Sequence, residues 1–344
     1  MKIGIIARAD KTGLGNQTKE LVDMLKPHRI LLIDSSHFNG NQQHPEWYKD
    51  YNVQVTQNGF ASYPEVGQFL EDIDVVISCE VFYNDRLCSL ANRRGIKTIL
   101  QYNYEFFEYF VTDGMRLPTV LLAPSVWNMD LIKRYYGNKS QVILLPPPTN
   151  QELFAEAKQI NMSKTHKRIL HVAGKRANSD RNGTDIVLEM LKYSKADYEL
   201  VVTVQGELNP VYSDSRLTID NSNPEDRSEL YKGFDLLVLP RKYGGLCLPM
   251  NEALLSGIPV MMTDISPNNH VLPPRWLVEA TWSKELGFKG VTDVYETDPQ
   301  KLAEMVDNFI NNADIPAEKE EAYQIGYNNF SPDVLKDKYL SIIK

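Results

Sequence analysis

Short apolar segments rich in β-branched residues alternate with amphipathic segments along the whole chain, and this alternation restricts the possible folds more than any other feature. Residues 2–7 (KIGIIA) predict a buried strand, and residues 17–27 predict the helix that follows it. A repeated strand–helix–strand pattern folds into a parallel sheet covered by helices on both faces. Further strands are predicted at 29–34, 53–57, 74–79, 98–102 and 120–125, with a helix at 87–95.

The proline-rich segment LLPPPTN (144–150) interrupts this pattern. Three consecutive prolines cannot continue a helix or a central strand, so we predict a stiff linker and a domain boundary here. The alternation restarts in the C-terminal half. Strands are predicted at 168–174, 198–206, 235–241 and 259–263, and helices at 184–194, 224–233, 251–257 and 299–311.

The predicted fold is therefore α/β, with two doubly wound Rossmann-like domains facing a central cleft. The expected N-terminal domain spans residues 1–147 and the C-terminal domain spans residues 148–330. A final helix at 331–344, with Ser331 as its N-cap, could pack back on the N-terminal domain. In such folds ligands bind beyond the carboxyl ends of the strands.

The composition excludes several classes of protein. The chain has 344 residues, 42% of them hydrophobic, which is enough for two cores. Its net charge of −8 argues against a protein held to nucleic acid by bulk charge, although a local basic groove is compatible with it. The three cysteines form no C-x-x-C pair, and we find no signal peptide and no apolar run of about 20 residues. We therefore expect a cytoplasmic protein without an integral membrane segment or a metal centre.

A glycine-containing loop, residues 8–18, joins the first predicted strand to the first helix. Gly13 and Gly15 let the backbone bend tightly and approach a ligand, and the helix N-terminus behind them favours anions. A plain strand-to-helix turn is an equal alternative, since Thr18 stands where a G-x-G-x-x-G motif needs its third glycine. Asp10 is a candidate general base, although capping of the turn explains this aspartate better.

The matching loop of the second domain, residues 171–186, carries positive charge. Gly174 permits a turn, and Lys175 and Arg181 follow the strand and precede a helix, with Arg176 as a third candidate. Two cations beside a glycine turn suit a diphosphate whose negative charge grows as a sugar leaves. A solvated basic loop is the alternative.

Residues 236–269 form the most specific segment of the chain. A predicted strand ends at Pro240, and the turn at Gly244–Gly245 lets backbone amides reach a ligand. Glu252 is expected in the first turn of the next helix, where a carboxylate is favoured by the helix dipole and could bind two ribose hydroxyls; helix capping is the alternative. The predicted ligand contacts here are Tyr243, Gly244, Gly245, Leu246 and Glu252.

This segment resembles the donor-binding segment of retaining GT-B glycosyltransferases, especially glycosyltransferase family four. The matching residues are Pro240, Gly245, Leu248, Pro249, Glu252, Ala253, Gly257, Pro259 and Val260. The resemblance implies that Glu252 binds the ribose of a nucleotide sugar. The family's first glutamate, which contacts the donor sugar, falls at Gly244, and Cys247 replaces a glycine of the family pattern.

The resemblance also bears on the acceptor side. Family members often carry a histidine near the donor sugar after the strand predicted at 98–102. The closest positions here are Asn103, a candidate catalytic residue, and Tyr104, with Glu105 next. The polar, aromatic loop 35–50 suits acceptor binding as well as it suits a plain surface loop. The block YGGLCLP (243–249) is similar to glycosyltransferase-like proteins of bacterial viruses, some of which decorate modified DNA bases. A cationic face for DNA would use Lys19, Arg93, Arg94, Lys133 and Arg134.

The predicted function is transfer of a hexosyl or pentosyl group from an NDP-sugar, with UDP as the expected nucleotide, to an acceptor hydroxyl. By analogy the anomeric configuration is retained, and no cofactor or metal is expected, since Lys175, Arg181 and the backbone at Gly15 would stabilise the leaving diphosphate. The acceptor is either a hydroxymethylated base in viral DNA, reached in the host cytoplasm, or a hydroxyl of a saccharide, lipid or protein. The alternatives are a nucleotide-sugar epimerase of the same architecture and a two-lobed binding protein, which would need an export signal.

Overall fold

The computed structural model describes residues 1–40, 42–110, 117–175, 180–208, 213–287 and 291–344. The chain forms two compact units. Unit 1 comprises Met1–Thr149 and Pro332–Lys344, and unit 2 comprises Asn150–Gly287 and Val291–Ser331. Among the described residues, no helix is both long and apolar enough to cross a membrane.

Unit 1 is built on a parallel sheet of seven strands. These strands are β1 (Ile3–Arg8), β2 (Arg29–Ile33), β3 (Val53–Val55), β4 (Val75–Cys79), β5 (Lys97–Gln101), β6 (Val120–Ala123) and β7 (Gln141–Leu144). Their order in the sheet is β3-β2-β1-β4-β5-β6-β7. The order reverses between β1 and β4, so the loops after these two strands diverge and leave a crevice at the carboxyl edge.

Six helices connect the strands of unit 1. They are α1 (Gly13–Leu25), α2 (Ser36–Asn39), α3 (Tyr63–Phe69), α4 (Leu87–Arg93), α5 (Tyr104–Phe110) and α6 (Met129–Tyr136). The hydroxyl of Thr12 caps α1 by accepting the backbone amide of Gly15 at 3.2 Å. A capping box between Ser62 and Glu65 begins α3. These contacts satisfy amide groups that the first turn of a helix leaves without partners.

Unit 2 contains a second parallel sheet, of six strands. These strands are β8 (Arg168–Gly174), β9 (Glu199–Val204), β10 (Leu217–Asp220), β11 (Leu236–Leu239), β12 (Val260–Thr263) and β13 (Leu277–Val278), in the order β10-β9-β8-β11-β12-β13. An antiparallel pair follows, β14 (Ala280–Gly287) and β15 (Val291–Thr297). The helices of unit 2 are α7 (Ala155–Ser163), α8 (Thr184–Met190), α9 (Leu248–Leu255), α10 (Pro299–Asn312) and α11 (Ile315–Phe330).

A buried ion pair ties α11 to the sheet of unit 2. Nζ of Lys319 lies 2.6 Å from Oδ1 of Asp235, and the two side chains are 2% and 0% exposed. The same Nζ donates to the carbonyl of Asn161 at 2.5 Å. The Asp235 carboxylate accepts the backbone amides of residues 166–167. Both buried charges are therefore compensated, as the low dielectric of a core requires.

The last helix, α12 (Pro332–Ile343), belongs to unit 1. Three of its side chains, Leu335, Tyr339 and Ile343, lie in the hydrophobic core that also contains residues of α1 and β1. The hydroxyl of Tyr339 accepts from Nε2 of Gln101 at 2.9 Å and donates to the carbonyl of Pro146 at 3.0 Å. The C-terminal segment therefore completes the core of the unit in which the chain begins.

Two predictions about unit 2 are wrong. The segment 224–233 forms a 3₁₀ turn, Arg227–Tyr231, instead of an α-helix, and the side chain of Asp226 caps this turn by accepting the amide of Ser228 at 2.9 Å. Helix α9 begins at Leu248, because Pro249 fits the first turn of a helix. The helix therefore starts earlier than predicted, and Glu252 lies in its second turn.

Candidate functional site

Two arginine side chains converge on the turn that follows β11. Gly244 adopts φ = 118°, which other residues rarely adopt, and a Cβ at this position would overlap the guanidinium groups of Arg181 and Arg241. Nε of Arg181 and Nε of Arg241 donate to the same carbonyl, that of Tyr243, at 3.3 and 3.0 Å. The guanidinium of Arg181 also lies over the Tyr243 ring, 5.1 Å from its centroid. The absence of a side chain at residue 244 thus makes room for two adjacent cations.

The charge of Arg241 is not balanced by a neighbouring acid. Its side chain is 5% exposed, and in the described part of the chain no carboxylate lies within 4 Å of its guanidinium. By contrast, Lys242 pairs with Asp180 at 3.7 Å and with Glu296 at 3.1 Å. A nearly buried guanidinium without a carboxylate favours a bound anion. Arg241 was not predicted as a site residue, although its place directly after a strand-ending proline is a signal in the sequence.

The loop after β8 brings another predicted cation, Lys175, to the same end of the sheet. Gly174 ends β8 with φ = 67°, and the exposed Lys175 follows it. The predicted candidate Arg176 lies outside the described residues. Gly183, which was not predicted, adopts φ = 74°, and a Cβ there would overlap the carbonyl of Pro240. This glycine therefore lets the start of α8 approach the β11 turn closely.

Glu252 is a buried carboxylate with two partners. The hydroxyl of Tyr231 donates to its Oε2 at 2.6 Å. Nε of Arg227 forms an ion pair with its Oε1 at 3.1 Å, without hydrogen-bond geometry. Burial raises the pKa of Glu252, while Arg227 and the Tyr231 hydroxyl act in the opposite direction. Each carboxylate oxygen keeps acceptor capacity beyond the partner it has.

A small pocket lies at the carboxyl ends of β8, β9 and β10. Its volume is about 50 Å³. Its lining includes Gly174, Thr203, Gln205, Asp220, Asn223 and Leu230. Leu230 directly precedes Tyr231, the residue that holds Glu252. The pocket and the Glu252 carboxylate are thus connected through one short 3₁₀ turn. Gly245 and Leu246, which were predicted to contact the ligand, are partly exposed between the Gly244 turn and α9.

In unit 1, Asp10 stabilises the loop between β1 and α1. Its carboxylate is fully buried and accepts Nε and Nη2 of Arg8 at 2.9 and 2.6 Å, and the hydroxyls of Thr12 and Ser35. Burial opposes ionisation, but the hydrogen bonds from Ser35 and Thr12 and the charge of Arg8 together lower the pKa of Asp10. This geometry corresponds to the turn-stabilising alternative, and a role as general base stays a prediction.

The glycines of this loop differ in their surroundings. A Cβ on Gly15 would overlap the backbone carbonyl of Asp10, so only glycine fits there. Gly13 is exposed and begins α1. Both glycines therefore lie where the loop turns into the helix, as the sequence indicates.

Asn103 lies directly beyond β5. Its Nδ2 donates to Oε2 of Glu80 at 2.8 Å, and its Oδ1 is buried without a partner among the described residues. Glu80 follows β4 with φ = 64°, and Tyr83 in the same loop has φ = 55°. Left-handed backbone is unusual for such residues and concentrates at functional sites. Glu80 was not predicted as a site residue, because no sequence pattern indicates a glutamate with left-handed backbone conformation.

The predicted site residues thus belong to two separate sets. Gly13, Gly15, Asp10 and Asn103 lie at the carboxyl edge of the unit 1 sheet, and the remaining predicted residues lie at the carboxyl edge of the unit 2 sheet. Within the second set, the structure brings Arg181, Tyr243 and Gly244 into contact. Within the described part of the chain, no group of three or more His, Cys, Asp or Glu side chains is placed to hold a metal ion.

Comparison with known proteins gives matches at the level of structure. No protein-family profile matches the sequence, and no curated protein matches it. Anabaena HepE in complex with UDP is 13% identical, with a TM-score of 0.69 over 100% of this chain and 99% of that chain. A glycosyltransferase from Rickettsia africae is 13% identical, with a TM-score of 0.68 over 100% of this chain and 97% of that chain.

Sucrose-phosphate synthase from Thermosynechococcus elongatus is similar to the same degree. It is 13% identical, with a TM-score of 0.68 over 99% of this chain and 98% of that chain. This chain shares with these structures an architecture of two Rossmann-like domains with parallel sheets. Its own sheets have seven and six strands. The predicted fold class is confirmed: the chain has the GT-B fold.

Proposed function

We propose that the protein is a glycosyltransferase that uses an NDP-sugar donor, with UDP as the nucleotide. The observation that carries this proposal is the convergence of Arg181 and Arg241 on the Gly244 turn. Two adjacent guanidinium groups suit a diphosphate, because each forms charge-assisted hydrogen bonds to phosphate oxygens. The GT-B fold supports the same assignment, since HepE of that fold is known in complex with UDP and with UDP-glucose.

The remaining residues of unit 2 suit the rest of a nucleotide. Glu252 has acceptor capacity for ribose hydroxyls, and the small pocket beside Leu230 adjoins the turn that holds Glu252. Lys175 adds a further cation beyond β8. In the reaction, the bond between the sugar C1 and the diphosphate oxygen breaks and a bond between C1 and the acceptor oxygen forms. The hydroxyl proton passes to the leaving diphosphate, whose charge the arginines stabilise.

The finer features of the reaction come from the resemblance to glycosyltransferase family four. We propose retention of the anomeric configuration and transfer without a metal, with protein cations stabilising the leaving group. The transferred group is a hexose or pentose. The acceptor is a hydroxyl, either of a hydroxymethylated base in phage DNA or of a saccharide, lipid or protein.

The proposal is tested by the separate variants Lys175→Ala, Arg181→Ala, Arg241→Ala and Glu252→Ala. Loss of one stabilising group at a leaving charge typically lowers turnover by about 100-fold or more. Arg275→Ala is the matched control, because this exposed arginine of unit 2 pairs with Glu318 on the surface. The measurement is a mass-shift screen of UDP-sugars against modified DNA and glycan acceptors. Unchanged turnover in all four variants would contradict the site, and conversion of the donor without acceptor, seen by NMR, would indicate an epimerase instead.

A further inference from the structure

Two exposed phenylalanines stand at the carboxyl edge of the unit 1 sheet. Phe38 lies in α2, directly after β2, and is 38% exposed; Phe60 follows β3 and is 55% exposed. Their rings pack edge to face, with centroids 5.3 Å apart and an interplanar angle of 87°. Contiguous exposed apolar patches mark interaction sites, whereas single exposed apolar residues are common on any protein surface. We call Phe38, Phe60 and the tyrosine beneath them, Tyr83, the aromatic platform.

The backbone beneath Phe60 is held in place. Tyr83 is buried, and its ring lies 6.3 Å from that of Phe38 and 6.2 Å from that of Phe60. The amide of Ala61 donates to the carbonyl of Tyr83 at 2.9 Å, and Nδ2 of Asn84 donates to the carbonyl of Ala61 at 2.8 Å. Tyr83 adopts φ = 55°, a strained conformation for a bulky side chain that concentrates at functional sites. Phe60 is therefore exposed on a fixed segment.

The ring of Phe38 is also held from two sides. A Cβ on Gly59 would lie 2.8 Å from the ring, so glycine is required for this close approach. On the Arg8 side, the guanidinium carbon lies 6.0 Å from the ring centroid, and that guanidinium is ion-paired with Asp10. The platform is thus ordered before any ligand arrives, which lowers the entropic cost of binding.

The charge around the platform does not suit a polyanion. Five carboxylates and three cations lie at the carboxyl ends of β1 to β5 and in the segments that follow these strands. The residues counted are 8–12, 34–40, 56–62, 80–86 and 102–105. One of these cations, Arg8, is neutralised by Asp10. DNA binding relies on cations that contact phosphates. The edge that carries the platform is therefore net acidic.

Three of the five cations predicted for a DNA-binding face lie elsewhere in unit 1. Arg93 is in the last turn of α4, and Lys133 and Arg134 are in the last turn of α6. Helices that follow parallel strands run back to the amino edge of the sheet, so these side chains lie at the edge opposite the platform. Lys19 is paired with Asp23 at 2.5 Å. The distribution of charge therefore favours a neutral acceptor.

We propose that the aromatic platform binds a sugar ring of a saccharide acceptor. This inference rests on the proposed function, because it names the acceptor class of that transfer. The C–H groups on one face of a pyranose stack against the negatively charged face of an aromatic ring, and its hydroxyls point to the rim. The exposed His37 and Asn58, each adjacent to a residue that forms or supports the platform, supply hydrogen-bonding groups at that rim.

The test measures binding of three probes to the full-length chain. They are immobilised neutral oligosaccharides of glucose, galactose, mannose and N-acetylglucosamine, a hydroxymethylcytosine-containing duplex, and UDP. The variants are Phe38→Ala, Phe60→Ala and the double variant. Tyr135→Ala is the matched control, because this tyrosine of α6 is 66% exposed in unit 1 but lies toward the opposite edge. We expect wild type to bind at least one oligosaccharide, and the double variant to lose about ten-fold or more of that affinity.

Thermal unfolding and UDP affinity separate this inference from a folding defect and from the proposed function. Both quantities are expected to be unchanged in the double variant, because the substitutions lie at the surface of unit 1. The inference is overturned if wild type binds none of the oligosaccharides, if the double variant binds them as wild type does, or if the platform variants instead lose salt-sensitive binding of the duplex. Failure of wild type to bind UDP would reject the donor site itself.

Discussion

The guanidinium group of Arg181 occupies the space that a side chain on Gly244 would need. Arg241 borders the same space from its own side of the turn. In the family that the sequence resembles, a glutamate stands at the position of Gly244. In this chain, the glycine at residue 244 leaves the space in which the two guanidinium groups meet.

Gly244→Ala is expected to destabilise unit 2 and to weaken UDP binding. Gly206→Ala is the matched control for backbone strain, because the φ of Gly206 is 120° and that of Gly244 is 118°. Among the described residues, no atom would lie within 4 Å of a Cβ on Gly206. The strain alone costs about 1–2 kcal/mol. Overlap with the arginines adds about 1–3 kcal/mol at residue 244 only. Denaturant unfolding of both variants measures the difference, and equal free energies of unfolding would contradict this packing.

Asp10→Asn is expected to destabilise unit 1 in a pH-dependent way. Because the pKa of Asp10 is lowered by folding, its ionised form contributes stability above the unfolded value of about 3.9, and this contribution is lost as the pH falls through the lower folded pKa. At pH 7, removing one partner of the buried Arg8–Asp10 pair costs about 3–5 kcal/mol. The difference between wild type and variant should therefore narrow below pH 4.

Asp72→Asn provides the control for this experiment. Asp72 pairs with Lys2 at 3.6 Å, and its side chain is 74% exposed, so solvent screens the pair. Its removal should change the free energy of unfolding by about 1 kcal/mol or less. Urea unfolding at several pH values compares the two variants. A pH-independent loss in Asp10→Asn would show that the carboxylate charge is not what stabilises the loop.

Lys319→Met tests the buried ion pair of unit 2. The substitution leaves the fully buried Asp235 carboxylate without its cation, which typically costs about 3–5 kcal/mol. Lys301→Met removes an exposed partner of Glu279, a pair that solvent screens, and should leave the melting temperature close to that of wild type. Thermal unfolding of the two variants gives the comparison. Equal melting temperatures of the two variants would contradict a stabilising role of the Lys319–Asp235 pair.

Tyr231→Phe is expected to shift the pH dependence of UDP binding to higher pH. Burial already raises the pKa of Glu252, and the Tyr231 hydroxyl acts against that rise. Without this hydroxyl the pKa rises further, so the ionised carboxylate that accepts ribose hydroxyls is lost at a higher pH. Calorimetric titration of UDP between pH 5 and 8 measures the shift. Superimposable pH profiles would argue against ribose binding by Glu252.

The central strands could be predicted from the sequence because they are buried on both faces. The segment 74–79 predicts a strand, and β4 spans Val75–Cys79 with every residue buried. Continuous apolar runs of this kind have few other interpretations in an α/β chain. Helix α11 was not predicted, because its buried residues include Lys319 and Gly326, which do not form a recognisable apolar stripe. The charge of Lys319 is tolerated in the core because this side chain pairs with Asp235, which is distant in the sequence.

The candidate site could be predicted in its residue types but not in its contacts. Arg181 and Gly244 were both predicted, yet their close approach depends on a turn whose backbone angles the sequence does not reveal. Glu252 was predicted from a family pattern, whereas its partner Tyr231 lies in a segment that was predicted as a helix and forms a 3₁₀ turn. Long-range pairs of polar groups carry no periodic signal, so the structure was needed to find them.

The position of α12 has a consequence for biosynthesis. Three side chains of the first unit's core, Leu335, Tyr339 and Ile343, are translated after all of the second unit. Residues 1–149 therefore emerge from the ribosome with a gap along one side of their sheet, and with Gln101 lacking its tyrosine partner. The intervening unit can fold earlier, because its own core comes from one continuous stretch of chain. The unit that is synthesised first is thus the one that is completed last.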